Sequence, residues 1–235
     1  MTRSPPFAPS RRTLLGTGLA AGGLALGGWP AGRARAATAS RGFEILRDGD
    51  VIGDQLTTVA ADGPRLEVTV RVRIALKVLG VVAYRYELDS RELWENGLLV
   101  SLDGTTNDDG DRETARVRRE GDRLVSSGTH VGDMPGDAAT TTYWTPAFLE
   151  RSTWISTQTG APLRVSASQD GSEAVPGPSG ALTCTRWQVS GDLDLALYYD
   201  DRGEWMGNAF DAGGETARFR AVAADPRLAP LWPAG

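Results

Sequence analysis

Two clusters in this 235-residue chain pair carboxylates with aromatic rings. Glu92 and Glu95 flank Trp94, and Asp200 and Glu204 stand beside Tyr199 and Trp205. Glycoside hydrolysis needs two carboxyl groups flanking one bond, one of them in a partly apolar setting that raises its pKa. Either cluster supplies those residue types. They are also what hairpin ends carry to solvate turns and to pack across strands. The stretch from Glu92 to Asp111, ELWENGLLVSLDGTTNDDGD, holds six carboxylates and is a calcium candidate. Anchored on Gly110, an EF-type loop puts Asp109 and Asn107 at positions five and three. It also puts Thr105 and Arg116 at positions one and twelve, where carboxylate ligands are required. The stretch reads better as a turn at Glu95-Asn96-Gly97, a strand from Leu98, and a second acidic turn at Thr106 to Asp111. Those turns stand roughly 25 Å apart at about 3.3 Å per residue.

Nucleophilic chemistry has less support. His130 is the only histidine, so a Ser-His-Asp triad would have to use it and a zinc site built on several histidines is impossible. Cys184, the only cysteine, sits between Thr183 and Thr185 in an apolar alternation and reads as a small core side chain. There is no Gly-x-Ser-x-Gly elbow and no glycine-rich loop between a strand and a substantial helix. No catalytic residue, metal ligand or cofactor is assigned on these grounds.

The elements that must position these residues are strands. From Arg65 to Val78 every even position is apolar (Leu66, Val68, Val70, Val72, Ile74, Leu76, Val78), while Arg65, Glu67, Thr69, Arg71, Arg73 and Lys77 occupy odd ones. Such alternation gives one face to a core and the other to water, as in antiparallel sheets. Val82, Tyr84, Tyr86 and Leu88 resume the pattern after Leu79-Gly80. Turn signals recur at hairpin spacing: Asp48-Gly49, Asp62-Gly63, Asn96-Gly97, Asp109-Gly110 and Gly191-Asp192 among them, each tolerant of the positive φ that tight hairpins require. The expectation is an all-β, single antiparallel meander of about ten to twelve strands, forming a curved sheet or a half-open or closed barrel. One short helix is expected near 146–151, with Thr145 as its cap and Pro146 at its first position. Thr129 to Thr142 and Gln169 to Gly180 read as loops, and the Pro-rich end from Arg227 as a flexible tail.

The N-terminus reads as an export signal. Ser10-Arg11-Arg12-Thr13-Leu14-Leu15 resembles the twin-arginine box, and a charge-free, glycine-rich run follows from Thr13 to Gly32. The expected domains are a cleaved signal at 1–36, with the cut after Ala36 or Ala39, and a single barrel-like domain at 37–235. The expected address is the periplasm or the extracellular space, with the twin-arginine translocase as a partner during export and no stable membrane span after cleavage. Residues 1–36 hold five arginines and no acid, which leaves 20 basic against 30 acidic residues, a net of −10. That sign argues against nucleic acid and anionic membrane surfaces, which demand clustered cations.

Three motifs carry a family resemblance. Glu92-Leu93-Trp94-Glu95-Asn96-Gly97-Leu98-Leu99 leading to Thr106-Asn107-Asp108-Asp109-Gly110 is the first, and Thr142-Tyr143-Trp144 the second. The third is Tyr198-Tyr199-Asp200 with Gly203 and Trp205. Together they resemble an uncharacterised family, a domain of unknown function, of exported bacterial β-meander proteins, over most of residues 42–222. More distantly the chain looks like periplasmic half-barrels used by lipoprotein and lipid carriers. That resemblance implies an architecture and no catalytic residues.

The long apolar strand faces need cover, from a closed core, a helix packed inside, or a ligand. The functional expectation is non-catalytic binding or carriage of a hydrophobic, lipid-like molecule in the cell envelope. Its expected lining is Val68, Val70, Val72, Ile74, Leu76, Tyr84 and Tyr86, with Trp94, Trp144 and Trp154 at a rim. A carboxylate-dependent periplasmic hydrolase and a structural or partner-binding envelope protein are the alternatives.

Overall fold

The computed structural model describes residues 37–78, 80–223 and 227–233. The twin-arginine segment with Arg11 and Arg12, and the cut after Ala36, lie outside the described residues. Ala39 lies inside the first strand opposite Val59, so a cut after Ala39 would remove that strand's first three residues.

The described residues form one curved sheet of fifteen strands. In order these are β1 (Ala37–Arg47), β2 (Asp50–Asp62), β3 (Arg65–Val78), β4 (Val81–Glu95), β5 (Leu98–Asp108), β6 (Asp111–Glu120), β7 (Arg123–Ser127), β8 (Val131–Pro135), β9 (Ala139–Thr140), β10 (Thr153–Ile155), β11 (Pro162–Gly177), β12 (Gly180–Gly191), β13 (Leu195–Tyr199), β14 (Trp205–Asp211) and β15 (Thr216–Ala221). The spatial order runs from β8 down to β1, then from β15 down to β9. Two meanders, antiparallel except where β10 pairs β9 in parallel, are therefore joined where β1 pairs β15, with Phe43 opposite Ala221 and Arg47 opposite Ala217. β8 and β9 are the two edges, and the sheet does not close.

The strand count exceeds the expected ten to twelve because several strands are too short to show a period. Thr129 to Thr142, expected as a loop, contains β8 and β9. Gln169 to Gly180, also expected as a loop, belongs to β11 and β12, whose ladder continues from Ser172 opposite Thr185 to Gly177 opposite Gly180. Its Pro, Gly and Ser residues masked a strand that pairs through its backbone. The expected helix is a single 3-10 turn at Pro146–Glu150, capped by Thr145, whose hydroxyl accepts the Ala147 N–H.

Parity holds along the long strands. Leu66, Val68, Val70 and Val72 are buried on the concave face of β3, and β4 continues that face through Leu88, Ser90, Glu92 and Trp94. The convex face carries cross-strand ion pairs, including Arg91 to Glu67 at 2.7 Å and Arg65 to Glu95 at 3.1 Å.

Alternating turns define two ends. Those after β2 and β4 lie at one end, where Trp94, Trp144, Phe148 and Trp232 form a cluster with ring centroids 5.1–6.2 Å apart. Burying each ring contributes roughly 2–3 kcal/mol, so this end is a filled core. The tail expected to be flexible joins it: Leu228 is buried, and the Leu228 and Ala229 N–H groups donate to Glu204 at 2.9–3.0 Å.

Candidate functional site

At the opposite end, where the turns after β1, β3, β5 and β14 lie, the concave face encloses a cleft of about 510 Å³. That size falls among ligand pockets. One wall comes from β1 to β4: Ile45, Ile52, Val70, Val72, Ile74, Leu76, Tyr84, Tyr86 and Leu88. The facing wall comes from β13 to β15: Leu195, Trp205, Asn208, Phe210, Ala217 and Phe219. The floor is the segment that runs inside the curve from Thr141 to Gln158. Burial grades along β3, where Val70 and Val72 are buried while Ile74 and Leu76 are half-buried, so the mouth lies at the Leu76 and Tyr84 end.

The floor is seated by backbone contact. A Cβ on Gly104 would stand 2.3 Å from the Thr157 carbonyl oxygen, which only glycine avoids. The His130 N–H donates to the Thr159 carbonyl at 3.0 Å, and the Tyr86 hydroxyl donates to Gln158 at 3.4 Å. Tyr143 holds a φ of 57°, a left-handed conformation that costs a bulky residue on the order of 1–3 kcal/mol. Its carbonyl accepts the Tyr199 hydroxyl at 2.8 Å, and its ring lies 6.0 Å from that of Trp205. Burial pushes the phenols of Tyr143 and Tyr199 up in pKa, so both stay neutral.

Six of the residues expected to line a site, Val70, Val72, Ile74, Leu76, Tyr84 and Tyr86, line this cleft. Val68 stands beyond it in the closed core. Trp94, Trp144 and Trp154, expected at a rim, are fully or nearly fully buried away from the mouth. The reason is direction: β4 runs from the mouth to the closed end, so Trp94 reaches the end opposite Tyr84. The facing wall was not singled out from the sequence, except for Trp205. Its short strands β13 and β14 are buried on both faces and so lack a period-two signal.

The two carboxylate clusters are pulled apart. Glu92 is fully buried and accepts the Trp94 indole N–H at 2.7 Å, whereas Glu95 faces outward to Arg65. Loss of water raises the Glu92 pKa to about 7, against the lowering effect of the Trp94 indole and the Thr140 and Thr142 hydroxyls. Asp200 accepts the backbone N–H groups of Arg202 and Glu204. Glu204 lies 3.4 Å from Arg41 and holds the tail; burial raises its pKa, opposed by the Ala229 and Leu228 N–H groups and by Arg41. None of these carboxylates lines the cleft. Cys184 is buried, with its thiol pushed up to about 11 by burial. Among the described residues no group of three or more His, Cys, Asp or Glu side chains is placed to hold a metal.

The family model described as "Domain of unknown function (DUF6134)" matches residues 43–222. No curated protein matches the chain. Among solved structures, a β-barrel-like protein of domain of unknown function DUF1849 from Brucella abortus is similar. Its TM-score is 0.55 at 10% identity, covering 80% of this chain and 95% of that one. At such identity the likeness concerns the fold alone.

Proposed function

Because the chain belongs to the DUF6134 family of unknown function, we propose a role for it from its own cleft: non-catalytic binding, and carriage, of a hydrophobic lipid-like molecule in the cell envelope, after export by the twin-arginine route. The observation that carries this reading is the cleft itself, about 510 Å³ of mostly apolar wall, closed at its inner end by aromatic packing and open at the other. Apolar surface removed from water stabilises a complex by about 25 cal/mol per Å², so a long-chain ligand laid along Val72, Ile74 and Leu76 gains affinity without any reacting group. The hydrolase alternative needs two carboxyl groups facing one bond. Asp194 is the single carboxylate among the described residues that line the cleft, and it accepts from Gln188 at 2.7 Å.

The test is native mass spectrometry and solvent extraction of protein recovered from the cell envelope, with titration of an environment-sensitive apolar fluorophore. A bound lipid-like mass and saturable fluorophore binding are expected. Val72→Asp, which sets a carboxylate on the apolar wall, should weaken fluorophore binding at least tenfold. Protein that carries no such mass and binds no fluorophore would defeat the reading.

A further inference from the structure

We propose that the cleft selects an uncharged amphiphile of the long-chain alcohol type, seated hydroxyl-first, over a fatty-acid anion. This rests on the hydrophobic-ligand reading above and adds the chemistry of the head group. The deep end supplies the first observation. Asn208 and Trp205 lie on the concave face of β14, 4% and 1% exposed, and both line the cleft. The Asn208 carboxamide oxygen and the Trp205 indole N–H have no hydrogen-bond partner among the described residues. Native structures pair nearly all such groups, because a buried donor or acceptor left unmet keeps its full desolvation penalty. One acceptor and one donor on the same strand lining the cleft ask for a group that donates to the first and accepts from the second. A hydroxyl is the smallest group that does both, whereas a carboxylate accepts only.

Charge supplies the second observation. Of the described lining residues only Arg47 and Asp194 are formally charged, and both are engaged. Arg47 lies 2.5 Å from Glu215 and donates to the Ala212 carbonyl, and Asp194 accepts from Gln188. An anion brought to the deep end would be desolvated without a cation to meet it, which is strongly unfavourable. The mouth adds to this selection. The turns around it carry Asp48, Asp109, Asp111, Asp192 and Asp211 against Lys77, Arg85 and Arg112, a negative excess that disfavours approach of anions. An alkyl chain behind the hydroxyl would lie along the apolar strip from Val72 to Leu76 and point to the mouth.

The experiment uses the mature chain at pH 8 and displacement of the apolar fluorophore by 1-decanol, decyl methyl ether, decanoate and decylamine. The alcohol is expected to bind about tenfold more tightly than the ether, the value of one net hydrogen bond near 1.4 kcal/mol, and at least tenfold more tightly than decanoate. Asn208→Leu should retain ether binding, abolish the alcohol-over-ether preference, and leave melting unchanged or raised. Trp205→Phe, which removes a donor that alcohol and ether oxygens can both use, should weaken the two alike and keep the preference, and Asn208→Ala, which removes the same acceptor, serves if Asn208→Leu does not fold. Decanoate or decylamine binding as tightly as the alcohol, or a preference that survives loss of the Asn208 acceptor, would overturn the proposal while leaving the hydrophobic-ligand reading intact. Failure of all four compounds to displace the fluorophore overturns the head-group selection, and absence of fluorophore binding itself overturns the reading on which it rests.

Discussion

Glu92 holds its proton to about pH 7 in the folded protein, whereas a solvated glutamate ionises near 4.5. Between those values the folded state binds more protons than the unfolded one, so stability is highest below pH 4.5 and declines as pH rises to about 7. The gap corresponds to about 3 kcal/mol. Glu92→Gln keeps the shape, can still accept the Trp94 N–H and can donate to the Thr140 and Thr142 hydroxyls. Thermal melting should place the variant level with the parent at pH 5 and up to about 3 kcal/mol above it at pH 8. An unchanged pH slope would assign the dependence to another group, with Glu204 the next carboxyl to substitute. The burial of Glu92 was legible in the sequence, because the alternation that turns Tyr84, Tyr86 and Leu88 inward runs on to Glu92 and Trp94. Its partners were not, since Thr140 and Thr142 meet it through tertiary packing that no local pattern encodes. The strained Tyr143 was visible only as part of a family motif, without its geometry.

Among the elements, the inner segment from Thr141 to Gln158 decides how much of the curve is cleft and how much is core. Its seat on β5 requires Gly104, where any side chain would meet the Thr157 carbonyl. Gly104→Ala should lose roughly 1–3 kcal/mol in urea unfolding, as overpacked sites do, and should alter ligand affinity because Thr157 and Gln158 form the floor. Unchanged stability and affinity would mean that the segment is not seated there. The strands most legible in the sequence were β3 and β4, long and solvated on one face. The second half of β11 is hidden by its Pro, Gly and Ser residues, which show no alternation although their backbone pairs with β12, and β7 to β10 are shorter than a period needs to declare itself. The helix signal at Thr145-Pro146 was genuine, but it spans one turn because Arg151 already returns to extended backbone at φ −97°.

At the scale of the whole molecule, a ligand that occupies the cleft only in the folded state must raise stability by mass action. At a hundredfold excess over its dissociation constant the gain is about 2.7 kcal/mol. For a domain of this size that corresponds to roughly 5–10 °C in melting temperature. A calorimetric scan with saturating 1-decanol should show it, and a coincident scan would mean that 1-decanol does not distinguish folded from unfolded chain. The pairing of β1 with β15 reaches further than stability. The two strands stand nearly at opposite ends of the folded chain, with Phe43 opposite Ala221, so during synthesis β1 must wait for β15. At 5–20 residues per second that wait lasts on the order of ten seconds, with one edge of β1 offering bare N–H and C=O groups to any passing strand. Ribosome-stalled chains ending before Thr216 should therefore be protease-sensitive and prone to self-association, and those extending well past Ala221 should not. The twin-arginine export proposed above, as a route for folded protein, would suit a molecule in which the last of the described strands is the one that joins its halves.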